Sequence, residues 1–177
     1  TASIDHPAVI RVLEQFHHDG VPVMALEDFG GTSLAARMAT RPLEPSEALR
    51  LGIRIAEALA GIHERHIIHK DINPGNIVYE PSTDTLKIID FGIATRLAQQ
   101  TTLFTNLEQL EGTVAYISPE QTGRMNRALD YRTDFYSLGV TLYEMLGGRL
   151  PFLGDDIHKL VHSHIALHPP PLHEFNA

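Results

Sequence analysis

The stretch His69-Lys70-Asp71-Ile72-Asn73-Pro74-Gly75-Asn76, taken with Asp90-Phe91-Gly92 fourteen residues further on, decides how this chain is read. Each piece lies in a loop beside the end of a short apolar run. Asp71 and Asn76 are five residues apart on one loop, and Asp90 stands just past the second run. Three such side chains can gather around a divalent ion, because Mg²⁺ takes hard oxygen ligands and accepts few of them from protein. One carboxylate then remains for a hydroxyl. Taken singly, Asp71 reads as a solvated loop carboxylate and Asp90-Phe91-Gly92 as a turn after a strand.

Upstream of this stretch, Ala48, Leu51, Ile55, Leu59 and Ile62 recur every three or four residues, which predicts a long helix from Ser46 to about Arg65 with Ser46 as its N-cap. Ile77 to Tyr79 and Leu86 to Ile89 read as two strands joined by the turn residues 81–84. Nearer the start, 9–16 and 21–27 are rich in Val, Ile and Leu, and Asp19-Gly20 between them predicts a β-hairpin. Gly30-Gly31 breaks the extended run, and Thr32 or Ser33 can cap a short helix through about Met38.

Downstream, residues 93–118 hold no clear period and carry many Thr and Gln, so they are expected to form a long functional loop without packed structure. Thr95, Thr101, Thr102 and Thr105 there are candidate phosphorylation sites. A helix from Arg132 to Leu146, apolar nearly all round, is expected in the centre of the fold and is stopped by Gly147-Gly148 and Pro151. A weaker helix runs from Asp155 to about Leu167. On it His158, His162 and His164 raise a metal site, but no Cys or acidic anchor completes it and a surface helix is expected. Arg124, Arg127 and Arg132 read as a solvated basic face. There is no internal repeat and no second domain.

Composition bounds the function. With 14 Lys+Arg against 22 Asp+Glu among 177 residues, the net charge of −8 argues against nonspecific binding to nucleic acid or an anionic membrane. An apolar share of 43% is that of a globular chain with a core. The absence of cysteine excludes a disulfide framework, a thiolate zinc site and a cysteine nucleophile, and suits a reducing compartment; a cytoplasmic location is expected. No stretch approaches the ~20 apolar residues of a membrane span, and the start at Thr1 suggests a piece of a longer protein.

The two loops resemble the catalytic loop (H-R-D-L-x-x-x-N) and metal loop (D-F-G) of the protein kinase family. Two further segments extend the likeness in the family's order. Residues 112–120, Gly-Thr-Val-Ala-Tyr-Ile-Ser-Pro-Glu, are similar to its G-T-x-x-Y-x-A-P-E segment, and Asp134-Phe135-Tyr136-Ser137-Leu138-Gly139-Val140 resembles the start of its central helix. The resemblance implies an α+β fold: residues 1–27 would be the end of the small β lobe, 28–31 the hinge, and 32–177 an incomplete helical lobe. It implies a Ser/Thr kinase using ATP and Mg²⁺, with a protein hydroxyl as acceptor.

Carried over by position, Asp71 would accept the hydroxyl proton, and Asn76 and Asp90 would hold Mg²⁺. Thr113 would shape the slot for a Ser or Thr. The Glu27 carbonyl and Phe29 amide would meet the adenine, with Val78 closing its pocket. Asp134 would hold the catalytic loop from below, and His69 and Phe91 would join an apolar spine. Asn73 completes the catalytic set by standing where Ser/Thr kinases usually place a lysine that touches the γ-phosphate.

Several features depart from the family's pattern. No Gly-rich loop and no strand lysine precede the hinge, since Lys70 is the first lysine of the chain, so this piece alone is expected to be inactive. Lys70 also replaces an arginine and is a poorer clamp for a phosphorylated loop residue. The wording of residues 118–134 resembles the kinase-like heads of large bacterial signalling proteins, in which an ATPase module and a sensor histidine kinase often follow. Two other readings stay open: a pseudokinase module that binds nucleotide or a neighbouring domain, favoured by Asn73, and a small-molecule phosphotransferase, which shares His-x-Asp-x-x-Pro-x-Asn.

Overall fold

A computed structural model describes residues 6–91, 95–96, 113–125, 127–154 and 156–174, with the side chains of Thr95, Arg96 and Thr113 outside that description. A two-stranded hairpin comes first. Strand β1 (Val12–His18) pairs antiparallel with β2 (Val21–Leu26), with His18 opposite Val21. Asp19 (φ 51°) and Gly20 (φ 77°) both sit in the left-handed region, which matches a two-residue turn to the twist of the flanking strands. The hairpin lies where its sequence predicts, but β1 starts three residues later than expected. Residues 8–10 instead line β6 (Thr85–Ile88): Ile88 donates its N–H to the Ala8 carbonyl (2.8 Å), Ile10 donates to the Ile88 carbonyl (3.1 Å), and Val9 is buried there.

Beyond the hairpin the Asp28 carboxylate accepts the Gly30 N–H (2.9 Å), turning the chain into β3 (Thr32–Ser33). Ser33 then caps α1 (Leu34–Thr40) through the Ala36 N–H. Helix α2 (Pro45–His63) begins one residue before its expected cap. Pro45 occupies the first helical position with its φ already set, Glu44 is the N-cap, and Ser46 lies inside the first turn. Its buried stripe of Leu51, Ile55, Leu59 and Ile62 forms the main core with β5 (Ile77–Glu80), β6 and α3 (Arg132–Gly147). Gly52 lets the two helices meet closely: a Cβ there would lie 2.4 Å from the Leu142 Cδ2. Strands β3, β5 and β6 form one antiparallel sheet in that order. Asp84 (φ 50°) closes the β5–β6 turn, held by the Tyr79 hydroxyl and by Arg50 and Arg54 of α2.

Helix α3 corrects an expectation. It is central, yet its most buried residues include Thr133, Asp134, Ser137 and Thr141, while Phe135 is 44% exposed. In its first turns the buried face looks onto loop backbone, whose N–H and C=O groups need polar partners, while further along Leu138, Val140 and Met145 are buried. Ser137 donates to the Tyr116 carbonyl (2.8 Å), and Asp134 accepts two loop amides described below.

The expected loop 93–118 is corrected in part. Thr95–Arg96 is a strand, β7, paired with β4 (Ile67–Ile68). Residues 113–116 and 119–122 are 3-10 turns, and Val114 and Ile117 are buried against Val161 of α4 (Ile157–Ala166). Thr101, Thr102 and Thr105 lie outside the described residues. Among the described residues, no helix is long and apolar enough to cross a membrane.

His164 is a core residue and not part of a surface array. It is 4% exposed, its Nδ1 accepts the Tyr136 hydroxyl (2.9 Å), and its ring packs edge-on against Phe152. Among the described residues no three His, Cys, Asp or Glu side chains gather as a metal site. Burial pushes the His164 pKa down to about 4 from 6.5, so the unfolded chain takes up a proton over that interval and the folded one does not. Stability from this group is therefore full above pH 6.5 and falls on the order of 2–3 kcal/mol as pH drops towards 4. Denaturant titrations at pH 7.5 and 5 should show a smaller acid loss for His164→Asn than for the parent; equal slopes would refute this.

Candidate active site

Asp134, fully buried in the first turn of α3, organises the loop that precedes β5. Its Oδ2 accepts the His69 N–H (2.9 Å) and its Oδ1 the Lys70 N–H (2.7 Å), while the His63 Nε2 at the end of α2 lies 2.7 Å from Oδ2. Lys70 is left-handed (φ 71°), a conformation costly for a lysine. It is held on both sides, by Asp134 at its N–H and by the Gln121 Nε2, which donates to its carbonyl (2.8 Å). Lys70 is also 4% exposed, and burial lowers its pKa against the opposing attraction of Asp134.

His69 ties the two loops together. Its ring is buried edge-on against Phe91 with centroids 4.5 Å apart. Burial lowers its pKa, which favours the neutral imidazole, and the partners define the tautomer: Nε2–H donates to the Ile89 carbonyl (3.0 Å) and Nδ1 accepts the Asp71 N–H (3.3 Å).

Asp71 follows with both carboxylate oxygens engaged. The Asn73 Nδ2 donates to Oδ1 (2.9 Å) and the Asn76 Nδ2 to Oδ2 (2.7 Å). Pro74–Asn76 forms a single 3-10 turn, which brings Asn76 back over Asp71; its Nδ2 also donates to the Asp71 carbonyl (2.9 Å). With Nδ2 turned to Asp71, the Asn76 Oδ1 points the other way. The Asn76 carbonyl accepts the Ile89 N–H (2.9 Å), so the β5–β6 ladder places Asn76 beside the residue before Asp90. Asp90 itself turns left-handed (φ 60°) as the chain leaves β6.

A second group forms at residues 27–31. The Glu27 carboxylate accepts the Arg11 N–H (2.9 Å) and the Lys87 Nζ, which together hold its pKa below the usual carboxylate range. Lys87 lies opposite Val78 in the β5–β6 register, with its ammonium 5.6 Å from the Phe29 ring centre. The Phe29 ring and Val78 flank Gly31 so closely that a Cβ there would lie 2.8 Å from each. Glu27, Phe29 and Val78 are thus brought together, and Val78 is two residues from Asn76. Thr113 opens the 3-10 turn 113–116, whose Tyr116 hydroxyl donates to the Glu144 carboxylate of α3 (2.6 Å).

Three participants escaped the sequence pattern. Lys87 carried a signal, since strand alternation opposite Val78 sets its face. Gln121 and His63 carried none, because their partners lie 51 and 71 residues away. An apolar hollow of about 380 Å³ borders His63, Tyr131 and Phe135, and none of Asp71, Asn76 or Asp90 lines it.

The family model of the protein kinase domain matches residues 1–170. The chain is 34% identical over 176 residues to the serine/threonine-protein kinase PrkC of Bacillus subtilis, which covers 99% of this chain and 26% of that protein. It is 34% identical to serine/threonine-protein kinase pkn2 of Myxococcus xanthus over 97% of this chain and 21% of pkn2. For PknB of Mycobacterium leprae the identity is 33%, over 96% and 28% respectively. The chain spans about a quarter of the length of these curated relatives. A buried aspartate gripping the Asp71 loop, a His69–Phe91 contact joining it to the Asp90 loop, and a match over nearly the whole sequence lead to one assignment: this chain belongs to the protein kinase family.

Proposed function

We propose that this chain carries part of the machinery that moves the γ-phosphoryl group of ATP to a Ser or Thr hydroxyl of a protein substrate. The observation that carries this reading is the meeting of Asp71, Asn76 and the Asp90 loop through direct hydrogen bonds, in a family whose curated relatives are named serine/threonine-protein kinases.

The donor set fits Mg²⁺. Asp90 offers a carboxylate and Asn76 an amide oxygen turned away from Asp71, both hard oxygen donors. When bound, the ion would neutralise charge on the phosphates as the transfer proceeds. Asp71 accepts the hydroxyl proton as the oxygen attacks phosphorus. The Glu27 carbonyl and Phe29 N–H meet the adenine edge, while the Phe29 ring and Val78 supply apolar walls. Thr113 borders the acceptor slot. Residues 28–31 serve as the hinge between the end of the small lobe (1–27) and the helical lobe (32–177). A cytoplasmic location and fusion to further signalling domains complete the proposal.

Calorimetry tests the metal assignment. Asp90→Ala should weaken Mg²⁺-dependent ATP binding by the full-length protein at least about tenfold, or ~1.4 kcal/mol. An unchanged Mg²⁺ dependence would remove Asp90 from the site. Radiolabel transfer from γ-labelled ATP to Ser/Thr peptides tests the reaction itself. ATP binding without transfer would favour the nucleotide-binding module that Asn73 leaves as the second reading.

A further inference from the structure

We propose that Asn73 is a positioning residue: its carboxamide clamps the Asp71 carboxylate to the 3-10 turn 74–76, so that Asp71 is held by two amides. This inference rests on the role of Asp71 as proton acceptor proposed above.

Three hydrogen bonds determine which way the carboxamide faces. The Asn73 Oδ1 accepts the Gly75 N–H (2.9 Å), and its Nδ2 donates to the Asp71 Oδ1 (2.9 Å) and, less closely, to the Asp71 carbonyl (3.3 Å). Turning the amide over would set NH₂ against N–H and oxygen against oxygen. The position therefore needs an acceptor and a donor on one short side chain. Asparagine supplies both; aspartate supplies only the acceptor, and lysine only donors.

Asn76 grips the other carboxylate oxygen (2.7 Å), so the two amides fix the rotation of the Asp71 side chain. Asn73 itself is extended (φ −156°), the backbone being anchored by the Asn76 N–H on its carbonyl (3.0 Å). The clamp is thus built on main chain at both ends. A misplacement of about 1 Å at a reacting group can cost ~10²-fold in rate, so loss of one of two amides should be visible in turnover.

Asn73→Asp separates the two jobs of this residue. It keeps the acceptor for the Gly75 N–H, and so the turn, while replacing the donor to Asp71 with a second carboxylate oxygen. In the full-length protein, Asn73→Asp and Asn73→Ala should each lower kcat by about 10- to 100-fold, with KM for ATP and for a Ser/Thr peptide within about twofold of the parent. A turn-capping role alone would leave Asn73→Asp at the parental kcat, and that result would overturn the proposal.

A double-mutant cycle supplies the second check, independent of how well any single variant folds. If Asn73 acts through Asp71, adding Asn73→Ala to Asp71→Asn should change the residual transfer by less than about twofold. Multiplicative losses would overturn the proposal. Should Asp71→Asn alone leave transfer intact, the functional reading and this inference fall together. Should Asp71→Asn abolish transfer while Asn73→Asp runs at the parental rate, only this inference falls.

Discussion

Asp71→Asn in the full-length protein should lower kcat for transfer to a Ser/Thr peptide by about 10²- to 10⁴-fold, the usual worth of a positioned proton acceptor. The substitution is nearly isosteric. A carboxamide at this position keeps an oxygen for one of the amides of Asn73 and Asn76 and sets an NH₂ against the other, while both can still donate to the main-chain carbonyl of residue 71. What it loses is a group able to take the hydroxyl proton. ATP affinity should stay within about twofold, since the residues proposed to meet the adenine, Glu27, Phe29 and Val78, and those proposed as metal donors, Asn76 and Asp90, are not themselves substituted. Radiolabel transfer measured beside calorimetry separates the two effects. Parental turnover in Asp71→Asn would reject Asp71 as the base, and lost ATP binding would show that the variant disturbs more than proton transfer.

Asp134→Ala should be the most damaging change to the fold. The carboxylate is fully buried and receives two main-chain donors, from His69 and Lys70, with the His63 Nε2 as a third partner. Truncation leaves those amides unpaired in the interior, at about 1–3 kcal/mol for each buried donor. A loss of roughly 3–5 kcal/mol is expected, against a typical whole-domain stability of about 5–15 kcal/mol. Lys70 adds to the sensitivity, because Asp134 holds one side of its left-handed backbone. Asp134→Asn retains one acceptor oxygen but aims an NH₂ at a donor, so its loss should be smaller and its kcat still reduced. Denaturant unfolding with transfer assays on both variants would check this. Parental stability and turnover in Asp134→Ala would show that the loop holds its shape without α3.

These two residues differ in how legible they were. Asp71 belongs to a local pattern: a five-residue spacing to Asn76, Pro74 and Gly75 between them, and a strand directly after. Turn chemistry and side-chain type suffice to place such groups in one loop. Asp134 stands 65 residues beyond its partner His69, in a helix that reads as apolar nearly all round. Only its likeness to a family motif pointed to it. The error over α3 has the same origin. Hydropathy cannot tell that the first turns of the helix will pack on loop backbone, where Asp134 and Ser137 are needed as partners and Phe135 is not.

The early misplacements were smaller and equally physical. Val9 and Ile10 have strand composition, but whether they extend the hairpin or join β6 depends on a pairing across 79 residues between Val9 and Ile88. Ser46 is a good cap by type, yet Pro45 moves the helix start ahead of it. His164 looks like its exposed neighbours His158 and His162 in the chain, and is buried because Tyr136 and Phe152 close over that side of α4.

From the order of residues alone came the family, the α+β class, the hairpin, both long helices and the side-chain types at the proposed site. The hairpin, the helices and the side-chain types depend on spacing, turn preference and periodicity, which act within a few residues, while the family and the fold class rest on the motif resemblance. Tertiary structure alone decided which groups touch: Gln121 on the Lys70 carbonyl, His63 on Asp134, Glu27 on Lys87, and His164 beneath Tyr136 and Phe152. Those contacts arise because the packing of α2, α3 and the β5–β6 ladder brings distant backbone together, and each buried polar group then takes whatever partner that packing supplies.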